Sequence, residues 1–362
     1  GAGHLPRSVK VLVYCGAPGI PVCGPSGSSA HLRGVARALA RAGHEVRVAT
    51  PRFCDDRGAF DMPVGLPHIG FRPRSWRWLG PLRERGEALD SRRLAAIATQ
   101  AWTPDLIWER HALFADGARR LAMHRKIPRI VEVNAPLALE RARYFRVRDP
   151  NYAEAMERDS LLSADRVVAV SAWLADWVRD LGCRDVRHIP NGVHTHPGDR
   201  EAGRVGLSGL VVGFVGTNKP WHGLHQIPGI LDALPEATGL LVGDGPMAVP
   251  DHPRITSVGR SDPKSLPNLI AAMDVGLVPY AADAPPWFCP LKVLEYRAQG
   301  VPVVARDIGN CRSLIGDAGE VVASDDPKVW ADAIRRQASR PRSPHMRSWD
   351  EVVAESLHGL PC

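Results

Sequence analysis

The 362-residue chain lacks the marks of several large protein classes. Its seven cysteines (15, 23, 54, 183, 289, 311 and 362) are odd in number and form no C-x-x-C pair. Neither a disulfide framework nor a zinc site is therefore expected, and a reducing, cytoplasmic compartment is. The N-terminal apolar run, residues 9–15, falls far short of the ~20 residues of a spanning helix. It also lacks the h-region and cleavage pattern of a secretion signal. No block of like charge occurs: 46 Lys and Arg against 39 Asp and Glu leave +7, spread along the chain. That balance suits an anionic small molecule better than a nucleic acid. Self-similarity at solenoid periods is absent as well. What remains is an ordinary globular mixture, 44% hydrophobic and 23% charged, with length for about two domains.

Short apolar, β-rich runs alternate with longer amphipathic stretches. Residues 9–15, 45–50, 105–108, 129–133 and 166–170 read as buried strands, and 209–216, 238–243, 254–258, 274–279 and 301–305 as a second set. After Ser171, a side chain suited to a helix N-cap, Trp173, Leu174, Trp177, Val178 and Leu181 share one helical face that Gly182 ends. Alternation of this kind implies α/β architecture: two doubly wound, Rossmann-like domains facing each other across a cleft, with ligands at the C-terminal strand ends. The polar, Gly- and His-rich stretch 191–208 reads as the linker. It separates an N-terminal domain at 1–200 from a C-terminal domain at 205–340, and a terminal helix within 345–360 is expected to dock back on the first.

Two places carry candidate chemistry. The loop 15–29 (CGAPGIPVCGPSGSS) precedes a helix start and is either a phosphate cradle at Gly27, Ser28 and Ser29 or a plain βα loop. Its glycines lack the G-x-G-x-x-G spacing. Gly243, Gly245 and Ala248 have a relaxed form of it, but Pro246, Pro250 and Pro253 crowd the required helix, which argues against NAD. The run 288–305 (FCPLKVLEYRAQGVPVVA) places Pro290 at a helix start with the N–H groups of Leu291 and Lys292 free behind it. A diphosphate fits such an end. Lys292 would add charge and Glu295 could accept both hydroxyls of a ribose; the plainer alternatives are a solvated lysine and an exposed acid.

This run resembles the signature of family 4 of the retaining glycosyltransferases, of GT-B fold. The other landmarks follow in order: PSGSSAHLRGVARAL, IPNGV (189–193), GFVGTNKPWHG (213–223), VGDGP (242–246) and VGR (258–260). The resemblance covers nearly the whole chain. It implies transfer of a sugar from a nucleotide sugar to a small-molecule or glycoconjugate acceptor, with retention and without metal or resident cofactor; no D-x-D pair follows a strand. On it, Glu295 binds the ribose, Lys292 with the backbone of Cys289, Pro290 and Leu291 the diphosphate, Gly27 and Ser28 a phosphate from the first domain. Gly216 admits the donor, and Val258, Gly259 and Arg260 meet the base. The leaving phosphate itself takes the acceptor's proton, so no general base is required.

The departures concern the sugar and phosphates. Where the family's first of two paired glutamates stands, eight residues before Glu295, the chain has Trp287, followed by Phe288. The usual Arg and Lys of the donor loop fall at Thr217 and His222, and Lys219 is expected to hold the phosphates jointly with His222. Asn134 replaces the family's histidine after a strand and is expected to donate to the sugar or the acceptor. His111, Glu132, Arg143 and Arg146 are acceptor-side candidates, and the arginine- and tryptophan-containing stretch 72–93 is another. Peripheral membrane contact follows only if the acceptor is a lipid; a monomer or homodimer is expected, without nucleic acid. Trp287 and Thr217, at positions usually charged, keep two alternatives open: a nucleotide-sugar-binding protein without turnover, and a GT-B-like nucleotide-sugar epimerase.

Overall fold

The computed structural model describes residues 8–24, 26–51, 66–71 and 82–360. The chain divides into two compact units, one running to residue 192 and resuming at 348, the other spanning Val193–Arg347.

In the first unit the described strands are β1 (Lys10–Tyr14), β2 (Glu45–Ala49), β3 (His68–Ile69), β4 (Leu106–Arg110), β5 (Arg129–Val133), β6 (Arg166–Ala169) and β7 (Val186–His188). They form one parallel sheet in the order β3-β2-β1-β4-β5-β6-β7. Helices cover both faces, so β4, β5 and β6 are buried at every position, charged ones included. Arg129 is tolerated inside because Glu109 meets it at 2.5 Å and Ser160 and Ser163 accept from its two terminal nitrogens.

The helix Trp349–Leu357 belongs to this first unit, started by a capping box between Ser348 and Glu351. It packs on the helix Gly27–Arg41, where Asp350 pairs with Arg41, and Arg166 donates to Ser356 and His358 carbonyls at its far end. Close approach needs Gly34, since a Cβ there would stand 2.3 Å from the Trp349 indole nitrogen. Gly34→Ala should therefore destabilise by about 1–3 kcal/mol through overpacking. Thermal unfolding checks it; an unchanged midpoint would mean the indole has room to retreat.

The second unit has β8 (Leu210–Val215), β9 (Ala237–Val242), β10 (Ile255–Gly259), β11 (Val275–Val278), β12 (Val303–Arg306) and β13 (Gly319–Val322). These too are parallel, in the order β10-β9-β8-β11-β12-β13. Residues 193–208 are not a free linker but part of this unit. Asp199 caps the short helix Arg200–Gly203 and takes a bond from it, while its own N–H donates to Asn268. Gly198 and Gly203 press on the backbone of Pro267 and Asn268. Polar composition there reflects side chains that satisfy backbone groups, which looks in sequence like solvation.

Cys23 is disulfide-bonded, against the expectation of free thiols, while Cys15, Cys183, Cys289 and Cys311 are free. No described helix is long and apolar enough to cross a membrane.

Candidate active site

In the second unit the loops after β8, β9 and β10 interlock at the C-terminal sheet edge. Gly216 N–H donates to Val242 at 2.9 Å, Asn218 N–H to Asp244 at 3.0 Å and Gly243 N–H to Gly259 at 2.6 Å. Beside them the helix Leu291–Ala298 begins with no side-chain cap, Pro290 extended before it. The Leu291 and Lys292 N–H groups find no partner among the described residues. An uncapped N-terminus with its dipole and free donors is receptive to anions.

Lys292, in the first turn of this helix, is only 7% exposed. Its Nζ has no hydrogen-bond partner among the described residues and rests on the ring faces of Phe214 (4.0 Å) and Tyr280 (5.1 Å). Burial pulls its pKa down to about 7, with Glu295 and Cys311 opposing. An unpaired ammonium in such surroundings is costly unless an anion completes it; cation–π contact offsets only part of that cost. The Gly216 backbone passes beside it: its φ is +140° and a Cβ would lie 3.2 Å from Nζ.

Glu295 is half-buried, one turn into the same helix, and bonds to no described residue. Burial raises its carboxyl pKa against the pull of Lys292. His222 stacks on Tyr280 at 5.3 Å, and burial with the charges of Lys292 and Lys219 drives its pKa down to about 2 despite a bond to the Thr217 backbone. The imidazole is thereby neutral, so any share it has with Lys219 in holding phosphate is as an N–H donor and not as a charge. Lys219 lies half-buried over the Trp221 ring at 5.9 Å. Trp287 is 2% exposed, its ring inside the unit, while Phe288 bridges Trp221 and Tyr280 at 5.8 and 6.0 Å. Thr217 and Val258 are exposed, Gly259 has φ +62°, and Arg260 pairs with Asp244 at 3.2 Å.

In the first unit, Gly27 and Ser28 open the helix Gly27–Arg41, where Ser26 caps the Ser29 N–H. Arg33, which the sequence reading missed, donates to the Val22 and Gly24 carbonyls and pins the preceding loop. Glu132 and Asn134 meet at the end of β5: Asn134 Nδ2 donates to Glu132 Oε1 at 2.6 Å, which engages one of its two N–H donors. His31 and Arg110 join the same cluster. His111 belongs elsewhere, 3.1 Å from Glu157, whose carboxylate also accepts the Leu137 and Ala138 N–H groups and so caps the helix Leu137–Tyr144. Glu157 thus gives His111 a structural partner. Arg143 and Arg146 are exposed at and beyond the end of that helix. Of the stretch 72–93, residues 72–81 lie outside the described residues. Among the described residues no group of His, Cys, Asp and Glu is arranged to hold a metal ion.

Two parallel-sheet α/β units are the architecture of the GT-B fold, and the comparisons agree. Residues 25–196 match the model of Glycosyltransferase Family 4 and residues 209–339 that of Glycosyl transferases group 1. The chain thus carries a match to a glycosyltransferase domain in each of its two units. A D-inositol 3-phosphate glycosyltransferase of Nocardia farcinica is 27% identical over 219 residues, 51% of this chain and 48% of that one. The chain thus spans less than half of that relative's length. In fold it is similar to sucrose-phosphate synthase of Thermosynechococcus elongatus (TM-score 0.72, 19% identity, 96% of this chain and 92% of that one). It is similar also to HepE of Anabaena solved with UDP-glucose (TM-score 0.63, 18% identity, 97% and 96%).

Proposed function

We propose that the chain transfers a sugar from a nucleoside diphosphate sugar to a hydroxyl of a small-molecule or glycoconjugate acceptor, with retention of configuration. The observation that carries this reading is Lys292, buried and unpaired beside two free backbone N–H groups. The diphosphate lies there, Lys292 stabilising the charge that grows on it as the glycosidic bond breaks. Cys289, Pro290 and Leu291 contribute backbone, Glu295 holds the ribose hydroxyls, and Val258–Arg260 meet the base. Arg143 and Arg146 draw in the acceptor. Attack occurs on the face the leaving group departs from, and the departing phosphate oxygen takes the acceptor's proton. In this reading no metal and no resident cofactor is needed, because helix end and ammonium together neutralise the diphosphate.

Thermal unfolding with UDP, GDP, ADP, TDP and NAD added separately tests this. One diphosphate at ~100 times its dissociation constant should stabilise by about 2.7 kcal/mol, and NAD should not. Stabilisation by none of them removes the reading. Slow nucleotide release from the matching sugar donor then separates an enzyme from a binder without turnover, and conversion of the donor sugar without release would signify an epimerase.

A further inference from the structure

In the first unit a buried polar chain lies where β4 and β5 end, against the helix Gly27–Arg41. Arg110 can only donate, so its contact with His31 Nδ1 makes that nitrogen an acceptor and leaves the ring proton on Nε2. Nε2–H then donates to Glu132 Oε2 at 2.7 Å. The ring is held in plane by its stack on Trp349, centroids 4.6 Å apart. Glu132 is 2% exposed, faces the Arg110 guanidinium at 3.5 Å, and receives the Asn134 amide on Oε1 at 2.6 Å. Burial opposes ionisation of Glu132, but His31, Arg110 and Asn134 together hold it below the usual carboxylate range. A carboxylate only accepts, so the Asn134 end turned to it is the NH2, and the end left to the half-exposed side is the carbonyl oxygen.

We propose that Arg110, His31 and Glu132 are a positioning chain that presents Asn134 as a hydrogen-bond acceptor to a ligand hydroxyl; this rests on the sugar-transfer reading above. The carboxylate polarises the amide, which strengthens its oxygen as an acceptor. An oxygen at that place accepts from O–H groups, while one of the two Nδ2–H donors is spent on Glu132. Arg110 and Glu132 cancel in charge, so the cluster selects by hydrogen bonding rather than by net charge. With both oxygens of Glu132 and both nitrogens of His31 engaged, neither is free to take a proton from the attacking hydroxyl.

Two measurements test the proposal. In protein labelled with 15N at asparagine, the Asn134 side-chain amide is identified by its loss in Asn134→Ala. One of its protons should lie well downfield and stay there between about pH 5 and 8, then move back in Glu132→Gln. An ordinary amide position in the wild type overturns the orientation. Should Glu132→Gln fail to fold, His31→Gln, which loosens Glu132, serves in its place. The ligand arm uses UDP-glucose, GDP-mannose, ADP-glucose and TDP-glucose as probes, then singly deoxyfluorinated analogues of whichever binds, since fluorine cannot donate. One analogue should bind about tenfold more weakly than its parent in the wild type. In Asn134→Ala the difference should shrink below about twofold, the coupling having gone. That result places the hydroxyl on the donor sugar. If instead no analogue couples and Asn134→Ala raises the KM for glycerol, offered as acceptor, by about tenfold, the hydroxyl is the acceptor's. Coupling to neither overturns the proposal. If no nucleotide sugar binds at all, the transfer reading fails and the hydroxyl assignment with it, while the amide spectrum still reports the geometry.

Discussion

Lys292→Met should abolish most turnover without weakening the fold. Methionine has nearly the length of lysine and no charge, and its sulfur packs well on the Phe214 and Tyr280 rings that now surround Nζ. The wild-type fold carries an ammonium with no hydrogen-bond partner among the described residues, an arrangement that costs stability until a ligand arrives. Removing it should leave the unfolding midpoint of the ligand-free protein unchanged or higher. The same change deletes a donor aimed at charge that develops on the leaving diphosphate, so kcat should fall by about 100- to 1,000-fold. Loss of affinity should be smaller than loss of rate, because ground-state diphosphate is still held by the Leu291 and Lys292 N–H groups. Thermal unfolding and single-turnover nucleotide release check both halves. A lowered midpoint would show the ammonium to be structural, and an effect confined to KM would make Lys292 a binding group only.

How much of this was legible beforehand follows physical lines. The central strands of both sheets could be read because burial on both faces makes them continuous apolar runs. The edge strands β3, β7 and β13 could not: two residues, the sequence VRH, and GEVV carry almost no apolar signal. At the site, Pro290, Lys292 and Glu295 are readable because a helix start writes itself locally. The partners of Lys292 are not, since Phe214 and Tyr280 come from β8 and just beyond β11, and only the sheet order brings those strands side by side. His222 shows the limit from the other direction. Its motif invites a phosphate contact, but its protonation is decided by burial and by neighbouring cations, neither of which a motif contains. Asn134 likewise has a readable place and an unreadable orientation, which depends on Glu132 across one residue and His31 across a hundred.

Donor affinity should fall as pH rises above 7, and Lys292 should be the cause. Burial places its pKa at about 7 in the ligand-free fold, against 10.5 as the ordinary value, so at higher pH the folded protein carries it largely neutral. A diphosphate favours the charged form, so binding draws in a proton. Above pH 7 affinity should drop by up to about tenfold per unit until the bound-state pKa no longer follows. Three of the surrounding groups do not titrate in this window. His222, near 2, is already neutral, the thiol of Cys311 is pushed up to about 12, and Tyr280 is raised well above its ordinary value. Glu295 is raised from 4.5, and its direction is to gain charge with pH, which would oppose an anion in the same sense. The ligand-free fold should behave oppositely. Between about 7 and 10.5 the unfolded chain holds the Lys292 proton and the folded one does not, so this group adds stability as pH rises. Titration calorimetry of a nucleotide sugar in buffers of differing ionisation heat measures the uptake directly. Lys292→Met should abolish it and flatten the affinity profile above pH 7, leaving only what Glu295 contributes. A profile equally steep in the variant would assign the titration to another group and return Lys292 to a permanently charged state.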